Sequence, residues 1–314
     1  MNSQKKRFGL ISDPRDPHTL SIQKQLSELG HDPLIIDSSG SGKFSFLEGT
    51  WKYNGQTLDE IKVFYFRNML SQTPAVRQEG GEYKLYRDWY TQFMHIREIY
   101  GVQLSWMYGL QAAGKILVNP PTPSVVGVLK PHQLYVLQKA GFPVPASVIT
   151  RNPEEARAFI QSKEKVIYKP ASGGAFAELV DEKAVQRLDA IQSHYVIFQE
   201  FVEGTDIRVT AAEDEILAAA ELESQAVDFR ATPGYLENKI AVSPCEIPDE
   251  IVKLCFKGLK LLGLYYSGID LKRTREGKYV FLEFNLHPAF LWIEQKLKKP
   301  ISRGIANLLV KLSA

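Results

Sequence analysis

The segment Lys278-Tyr-Val-Phe-Leu-Glu-Phe-Asn-Leu-His-Pro-Ala-Phe-Leu-Trp-Ile-Glu294 (KYVFLEFNLHPAFLWIE) is strongly apolar, yet it carries Glu283 and Asn285 two positions apart in its middle. In a β-strand, residues i and i+2 share a face. Glu283 and Asn285 are therefore expected on one side of the strand, with Leu282 and Phe284 anchoring it in the opposite layer. Just upstream, Arg275-Glu276-Gly277-Lys278 reads as a tight turn with Gly277 supplying a positive φ, so YYSGIDLKRTREGKYVFLEF becomes a hairpin. A turn centred between Glu276 and Gly277 with an even loop sets Asp270 directly opposite Glu283. Opposed carboxylates lie about 4.5 to 5.5 Å apart at Cβ and repel unless a positive charge sits between them. Two carboxylates and an amide oxygen are hard donors that suit Mg²⁺, which completes its shell with phosphate oxygens and water. The competing reading is a sheet rim with Asp270 and Glu283 solvated or paired with Lys272 or Arg273, and spacing alone does not separate the two.

Working outward, the chain has 314 residues, enough for two or three subdomains, and balances 38 Lys and Arg against 36 Asp and Glu. That balance gives no argument for nucleic acid or a membrane surface. The two cysteines, Cys245 and Cys255, form neither a disulfide framework nor a zinc motif, which fits a reducing cytoplasm. The first apolar run, Phe8 to Ile11, is too short for a signal peptide, and no run reaches the ~20 residues of a membrane span.

The start, FGLIS then SDPRDP then HTLSIQKQLSELG then PLIID, reads as β-α-β. Asp13-Pro14-Arg15-Asp16-Pro17 stands where a dinucleotide site needs GxGxxG, which excludes an NAD site. The tract around Gly42-Lys43 fails the P-loop pattern, since Asp37 and Phe44 occupy the required Gly and Ser/Thr positions, and it is expected to be a turn. Asn54-Gly55 predicts a hairpin turn, followed by a short helix and the strand KVFYFR. Residues from about 83 to 114 are expected to be mostly helical, with Tyr86, Trp89, Tyr90, Phe93 and Met94 packing. Pro120, Pro121 and Pro123 mark a boundary. Beyond it helices and strands alternate, with a closing helix at about 301 to 312.

Charged groups recur at element ends. Lys130 begins a helix, and Lys169 ends the strand KVIYKP before the small-residue loop Ala171-Ser172-Gly173-Gly174-Ala175-Phe176, whose amides could approach phosphate oxygens closely. The strand YVIFQEFVEGTDIRV carries Glu200, Glu203, Asp206 and Arg208, and Asp228-Phe229-Arg230 adds another arginine, whose fork fits phosphate or carboxylate oxygens. Each motif alone is weak, with a solvated lysine or an edge strand as its bland counterpart.

Taken in order, Lys130, Lys169 with SGGAF, QEFVEGTDIR, DFR, SGIDL and FLEFN resemble the ATP-grasp carboxylate-amine ligases over about residues 119 to 314. The resemblance is greatest to RimK-type peptide ligases that add glutamate to protein C-termini, and to the ATP-grasp enzymes that macrocyclise ribosomal peptides. It implies an α/β (α+β) ATP-grasp fold behind a Rossmann-like N-terminal pre-ATP-grasp domain, divided as residues 1–118, a central lobe 119–198 and a C-terminal lobe 199–314. It further implies a cytoplasmic, ATP-dependent ligase with one or two Mg²⁺ (Mn²⁺ allowed), a homo-oligomer being allowed. Its substrates would be a carboxylate and an amine or hydroxyl, on a peptide or protein, with neither nucleic acid nor membrane as partner.

By the same resemblance, Lys130, Lys169 and the loop Ser172, Gly173, Gly174 would hold the phosphates and reach towards the adenine. Gln199, Glu200, Phe201 and Val202 would line the adenine, with Glu203 or Asp206 near the ribose. Asp270, Glu283 and Asn285 would hold metal, and Arg208 and Arg230 would steady the γ-phosphate and the acyl phosphate. Arg230-Ala231-Thr232 and Leu286-His287-Pro288 depart from the glutamate ligases, which leaves the acceptor open and His287 readable as either substrate contact or structural residue. A small amino-acid ligase and a catalytically idle nucleotide-binding module are the alternatives; the full set of Asp270, Glu283, Asn285 and both lysines argues against the idle one.

Overall fold

The computed structural model describes residues 5–68, 76–79, 82–85, 88–121, 129–171, 176–224, 226–232 and 240–314. The chain divides into two compact units, Met1–Pro121 with Ser302–Ala314, and Thr122–Ile301.

The first unit contains β1 (Arg7–Ser12), β2 (Asp32–Asp37), β3 (Phe44–Leu47), β4 (Thr50–Tyr53), β5 (Val63–Phe66), β6 (Val76–Glu79), β7 (Glu82–Leu85) and β8 (Ile116–Val118). A parallel sheet in the order β2-β1-β5-β8 forms its centre. Its strands are near-continuous apolar runs, as expected where helices cover a parallel sheet. The helix Pro17–Glu28 starts cleanly because Asp16 Oδ1 accepts the Thr19 N–H at 2.8 Å and Pro17 needs no N–H partner.

Several local expectations change here. Phe44–Leu47 and Thr50–Tyr53 form a hairpin where only a turn was expected from the Gly42-Lys43 tract. Asn54 and Gly55 do turn the chain, at φ 48° and 80°, but they close only a single bridge between Tyr53 and Gln56, and no helix follows before β5. The long helix begins at Trp89 rather than about 83, because Glu82–Leu85 pairs with β6. Its packing face is its second half: Trp106 and Met107 are buried while Trp89 and Tyr90 are exposed; Tyr86 lies outside the described residues.

The helix Ile301–Leu312 matches its expected span but belongs mostly to the first unit, not to a C-terminal lobe. The reason is its apolar face: Ile305, Ala306 and Leu309 are fully buried, and Ser302 and Arg303 reach Ser21 and Gln25 on the helix Pro17–Glu28. Among the described residues no helix is long and apolar enough to cross a membrane.

The second unit holds two antiparallel sheets. β9 (Ser147–Thr150), β10 (Val166–Pro170), β11 (Glu178–Leu179) and β12 (Val196–Glu200) run in the order β11-β10-β12-β9. β13 (Thr205–Ala212), β14 (Glu215–Leu222), β15 (Val242–Pro244), β16 (Tyr266–Arg273) and β17 (Tyr279–Asn285) run in the order β15-β14-β13-β16-β17. One face of the larger sheet is buried under the helix Asp249–Leu261, whose Cys255 and Leu259 pack with Ile207, Val209, Ile269, Phe281 and Phe284. Gly258 makes that approach feasible: a Cβ there would lie 2.3 Å from the Phe284 ring.

The β16–β17 hairpin is where sequence and structure differ most instructively. Its loop is odd, residues 275–277, with Thr274 N–H donating to Lys278 O, Gly277 N–H to Thr274 O, and Gly277 at φ 79°. This is a three-residue loop ending in a left-handed glycine. It sets Arg273 opposite Tyr279 and Leu271 opposite Phe281, a register that would place Asp270 against Leu282. A bulge at Leu282 then inserts one residue, and Asp270 meets Glu283 after all. The expected pairing therefore holds although the expected loop does not. The bulge also breaks the alternation: Phe281 and Phe284 fill the core, whereas Leu282 joins Glu283 and Asn285 on the other face, not the anchoring layer.

Candidate active site

Within the second unit, side chains from both sheets surround a cavity of about 260 Å³. Its wall contains Lys130, Lys169, Gln199 to Val202, Asp206, Arg208, Arg230, Asp270, Glu283 and Asn285, twelve residues spread over 155 positions of chain and brought together because the strands fold back on each other.

 Lys130 and Asn285 mark the two ends of that span. Glu203 is not on the wall; it points outward and pairs with Arg275 at 3.2 Å. Ser172, Gly173 and Gly174 lie outside the described residues.

The charged groups occupy successive rungs of the larger sheet. Arg208 on β13 stands across from Asp270 on β16, and Asp206 across from Lys272. Sign therefore alternates both along and across the strands. Arg208 donates to Asp270 Oδ1, and Asn285 Nδ2 donates to Asp270 Oδ2 at 2.7 Å. Burial nevertheless pushes the Asp270 carboxyl up, against the pull of Arg208. Lys130 Nζ lies 3.1 Å from Glu283 Oε2. The repulsion expected between the opposed carboxylates is thus relieved by one cation on each.

Helix Lys130–Lys139 delivers that lysine and also fastens the strand beneath it. Gln133, one turn on, accepts the Phe284 N–H at 2.8 Å and donates to the Phe284 carbonyl at 3.0 Å. β17 is an edge strand, and this side chain satisfies the backbone groups between Glu283 and Asn285 that no neighbouring strand reaches.

Lys169 sits at the end of β10 and donates to Gln199 Oε1 at 3.1 Å, while Gln199 Nε2 donates to Ser147 Oγ at 2.9 Å. Burial first, and then the nearby Lys130 charge, lower the Lys169 ammonium to a pKa of about 8. Arg230 is gripped by Asp228 through Nε at 2.9 Å and Nη2 at 2.6 Å, and its guanidinium lies 5.6 Å from the Phe176 ring centre. Asp228 also accepts the Ala177 N–H at 3.2 Å. Asp206 is raised to about 6, chiefly by burial, although Lys272 opposes the shift. His287, Pro288, Ala289 and Trp292 complete one side of the cavity.

Among the described residues, no three His, Cys, Asp or Glu side chains gather as a metal site. The donor set is instead two carboxylates on one rung with an amide two residues on, which fits a hard divalent cation that takes its remaining ligands from phosphate and water. Asn285 presents its amide nitrogen to Asp270 here, and turning the amide over presents its oxygen.

Gln133 escaped the sequence reading, which also considered Lys272 only as a partner of Asp270 or Glu283, whereas it pairs with Asp206, and did not see Asp228 as the residue that holds Arg230. A glutamine on the apolar face of a helix was a signal for Gln133, and a Lys two residues beyond Asp270 in a buried strand for Lys272. Asp228 was visible only as part of DFR.

The sequence profile described as "RimK-like ATP-grasp domain" matches residues 129–309. The chain belongs to this family. Among solved structures it is similar to the ATP-grasp ligase PsnB complexed with minimal precursor, Mg and ADP, at 27% identity and TM-score 0.83, covering 100% of this chain and 99% of PsnB. PsnB is also known in complex with a precursor peptide and AMPPNP. Among curated relatives, the tetrahydromethanopterin:alpha-L-glutamate ligase of Methanococcus maripaludis is 23% identical over 96% of this chain and 97% of its own length. The ligase of the same name from Methanocaldococcus jannaschii is 28% identical, but the match spans 57% of this chain and 65% of that protein. The RimK-like match and the agreement with PsnB along the whole chain make this an ATP-grasp ligase fold.

Proposed function

We propose that the chain is an ATP-dependent ligase that activates a carboxylate as an acyl phosphate and transfers it to an amine or hydroxyl, with a peptide or protein as substrate. The observation that carries the reading is the convergence of Lys130, Lys169, Arg208, Arg230, Asp270, Glu283 and Asn285 on one cavity. The peptide substrate is inferred from PsnB, which was solved with its precursor.

Lys130 and Lys169 would meet the phosphates of ATP, the first exchanging Glu283 for phosphate oxygen. Gln199 to Val202 would line the base, and Asp206, rather than the outward-pointing Glu203, would stand near the ribose. Asp270, Glu283 and Asn285 would hold Mg²⁺, which supplies charge neutralisation on the phosphoryl oxygens. The substrate carboxylate attacks the γ-phosphorus and ADP departs; the amine or hydroxyl then adds to the acyl carbon and phosphate leaves. Arg208 and Arg230, each held by a carboxylate, would stabilise charge on the acyl phosphate and on the tetrahedral species.

The test is phosphate release from ATP with Mg²⁺ and a panel of acidic peptides and amino acids. Turnover that requires a peptide, and that Asp270→Ala and Glu283→Ala abolish, supports the reading. Equal turnover in those variants sinks it. The names of the Methanococcus and Methanocaldococcus relatives favour a second reading, ligation of glutamate to a small acceptor, which turnover with glutamate and no peptide would reveal.

A further inference from the structure

Lys272 has no part in the mechanism above, yet its ion pair with Asp206, the residue proposed to stand near the ribose, is built at some cost. Both residues are under 10% exposed, both are on the cavity wall, and their charges lie 2.9 Å apart. A buried ion pair is commonly replaceable by apolar side chains without loss of stability, so its presence calls for something other than folding. The geometry supplies a candidate. Lys272 Nζ takes Asp206 Oδ2 and also donates to the Gly204 carbonyl at 3.3 Å, tying the carboxylate to the start of β13. Asp206 Oδ1 accepts no hydrogen bond from the described residues.

A carboxylate can only accept, so the ligand group it takes must be a donor. On a nucleoside phosphate whose phosphates lie at Lys130, Lys169 and the metal-binding rung, the sugar hydroxyls are donors of that kind. We propose that Lys272 is a positioning residue that fixes Asp206 as the acceptor for a sugar hydroxyl and so sets the preference for ribonucleotides over deoxynucleotides. Arginine at 272 can make the same pair; an uncharged side chain cannot. The inference rests on the nucleotide reading of the cavity.

The experiment is calorimetric titration of the full chain, with Mg²⁺, by ADP, 2′-deoxy-ADP and 3′-deoxy-ADP. Wild type should bind ADP about tenfold or more tightly than at least one deoxy analogue, as for a hydrogen bond to a charged acceptor. In Lys272→Met that ratio should fall to about twofold, and Lys272→Arg should restore it. The double variant Asp206→Leu with Lys272→Met replaces the whole pair by apolar groups, keeps the fold on the argument above, and should also lose the discrimination. A wild type that binds ADP without discriminating, or a double variant that keeps the wild-type ratio, overturns the role of Lys272. A wild type that does not bind ADP at all defeats the nucleotide reading itself.

Discussion

Gln133 offers the sharpest quantitative test of how the site is held. Its side-chain amide makes two hydrogen bonds to the buried backbone of Phe284, and Glu283 and Asn285 flank that residue. Gln133→Met keeps the length and apolar stem of the side chain and removes both bonds. An amide or carbonyl left buried without a partner costs roughly 1–3 kcal/mol, so two such groups place the loss at about 2–6 kcal/mol. That is large for one buried polar substitution and exceeds the usual ~1 kcal/mol of a point change. Gln133→Glu should cost at least as much, since a carboxylate accepts the Phe284 N–H but cannot donate to its carbonyl, and it adds a buried charge near Glu283. Urea unfolding followed by tryptophan fluorescence and by circular dichroism measures the difference. Mg²⁺-dependent ATP turnover should fall in parallel, while metal-free nucleotide binding changes less. A loss under about 0.5 kcal/mol in Gln133→Met would refute the claim that this side chain completes the edge of β17.

Lys169 predicts a proton linkage: its ammonium is lowered to about 8 in the free chain, and a bound phosphate would return it towards the ordinary lysine value. Binding then takes up a proton above pH 8 and nucleotide affinity falls as pH rises through that window; calorimetry at pH 8.5 in buffers of different ionisation enthalpy should show the uptake. Gly268→Ala places a Cβ 2.6 Å from Pro288 Cβ and 2.8 Å from Arg208 Nη2, so it should displace the arginine and reduce turnover at least tenfold with little change in nucleotide affinity. Gly258→Ala meets the Phe284 ring at 2.3 Å and should instead lower thermal stability, with a cost of about 1–3 kcal/mol. Asp228→Asn removes the charge from the two bonds to Arg230 and should weaken turnover more than nucleotide binding, read from the ratio of rate to affinity.

Much of the site was legible because its residues obey period-two spacing within single strands, as Asp206 with Arg208 and Glu283 with Asn285 do. The Asp270 to Glu283 pairing was also legible, but through two deviations that cancel: an odd loop and a bulge at Leu282. A bulge is chosen by how the strand meets its neighbours in three dimensions, and nothing in FLEFN marks which residue goes unpaired. Gln133 was hidden for the same reason, since its partner is a backbone 151 residues away. The closing helix was found in place and length from its own periodicity, but the surface it covers could not be, because amphipathicity reports a buried face without naming what buries it.

That helix bears on how the chain folds during synthesis. Residues 302–314 complete the first unit, whose other residues end at Pro121, so the second unit lies between them in the chain. Ile305 and Leu309 are fully buried, each contributing roughly 1.5–3 kcal/mol of apolar burial. As the polypeptide emerges from the ribosome, the first unit must wait with that face uncovered until the whole second unit has been made. The order of completion is thereby inverted: the part synthesised first is finished last, and the lobe that carries the cavity can close around its own core before its N-terminal neighbour does.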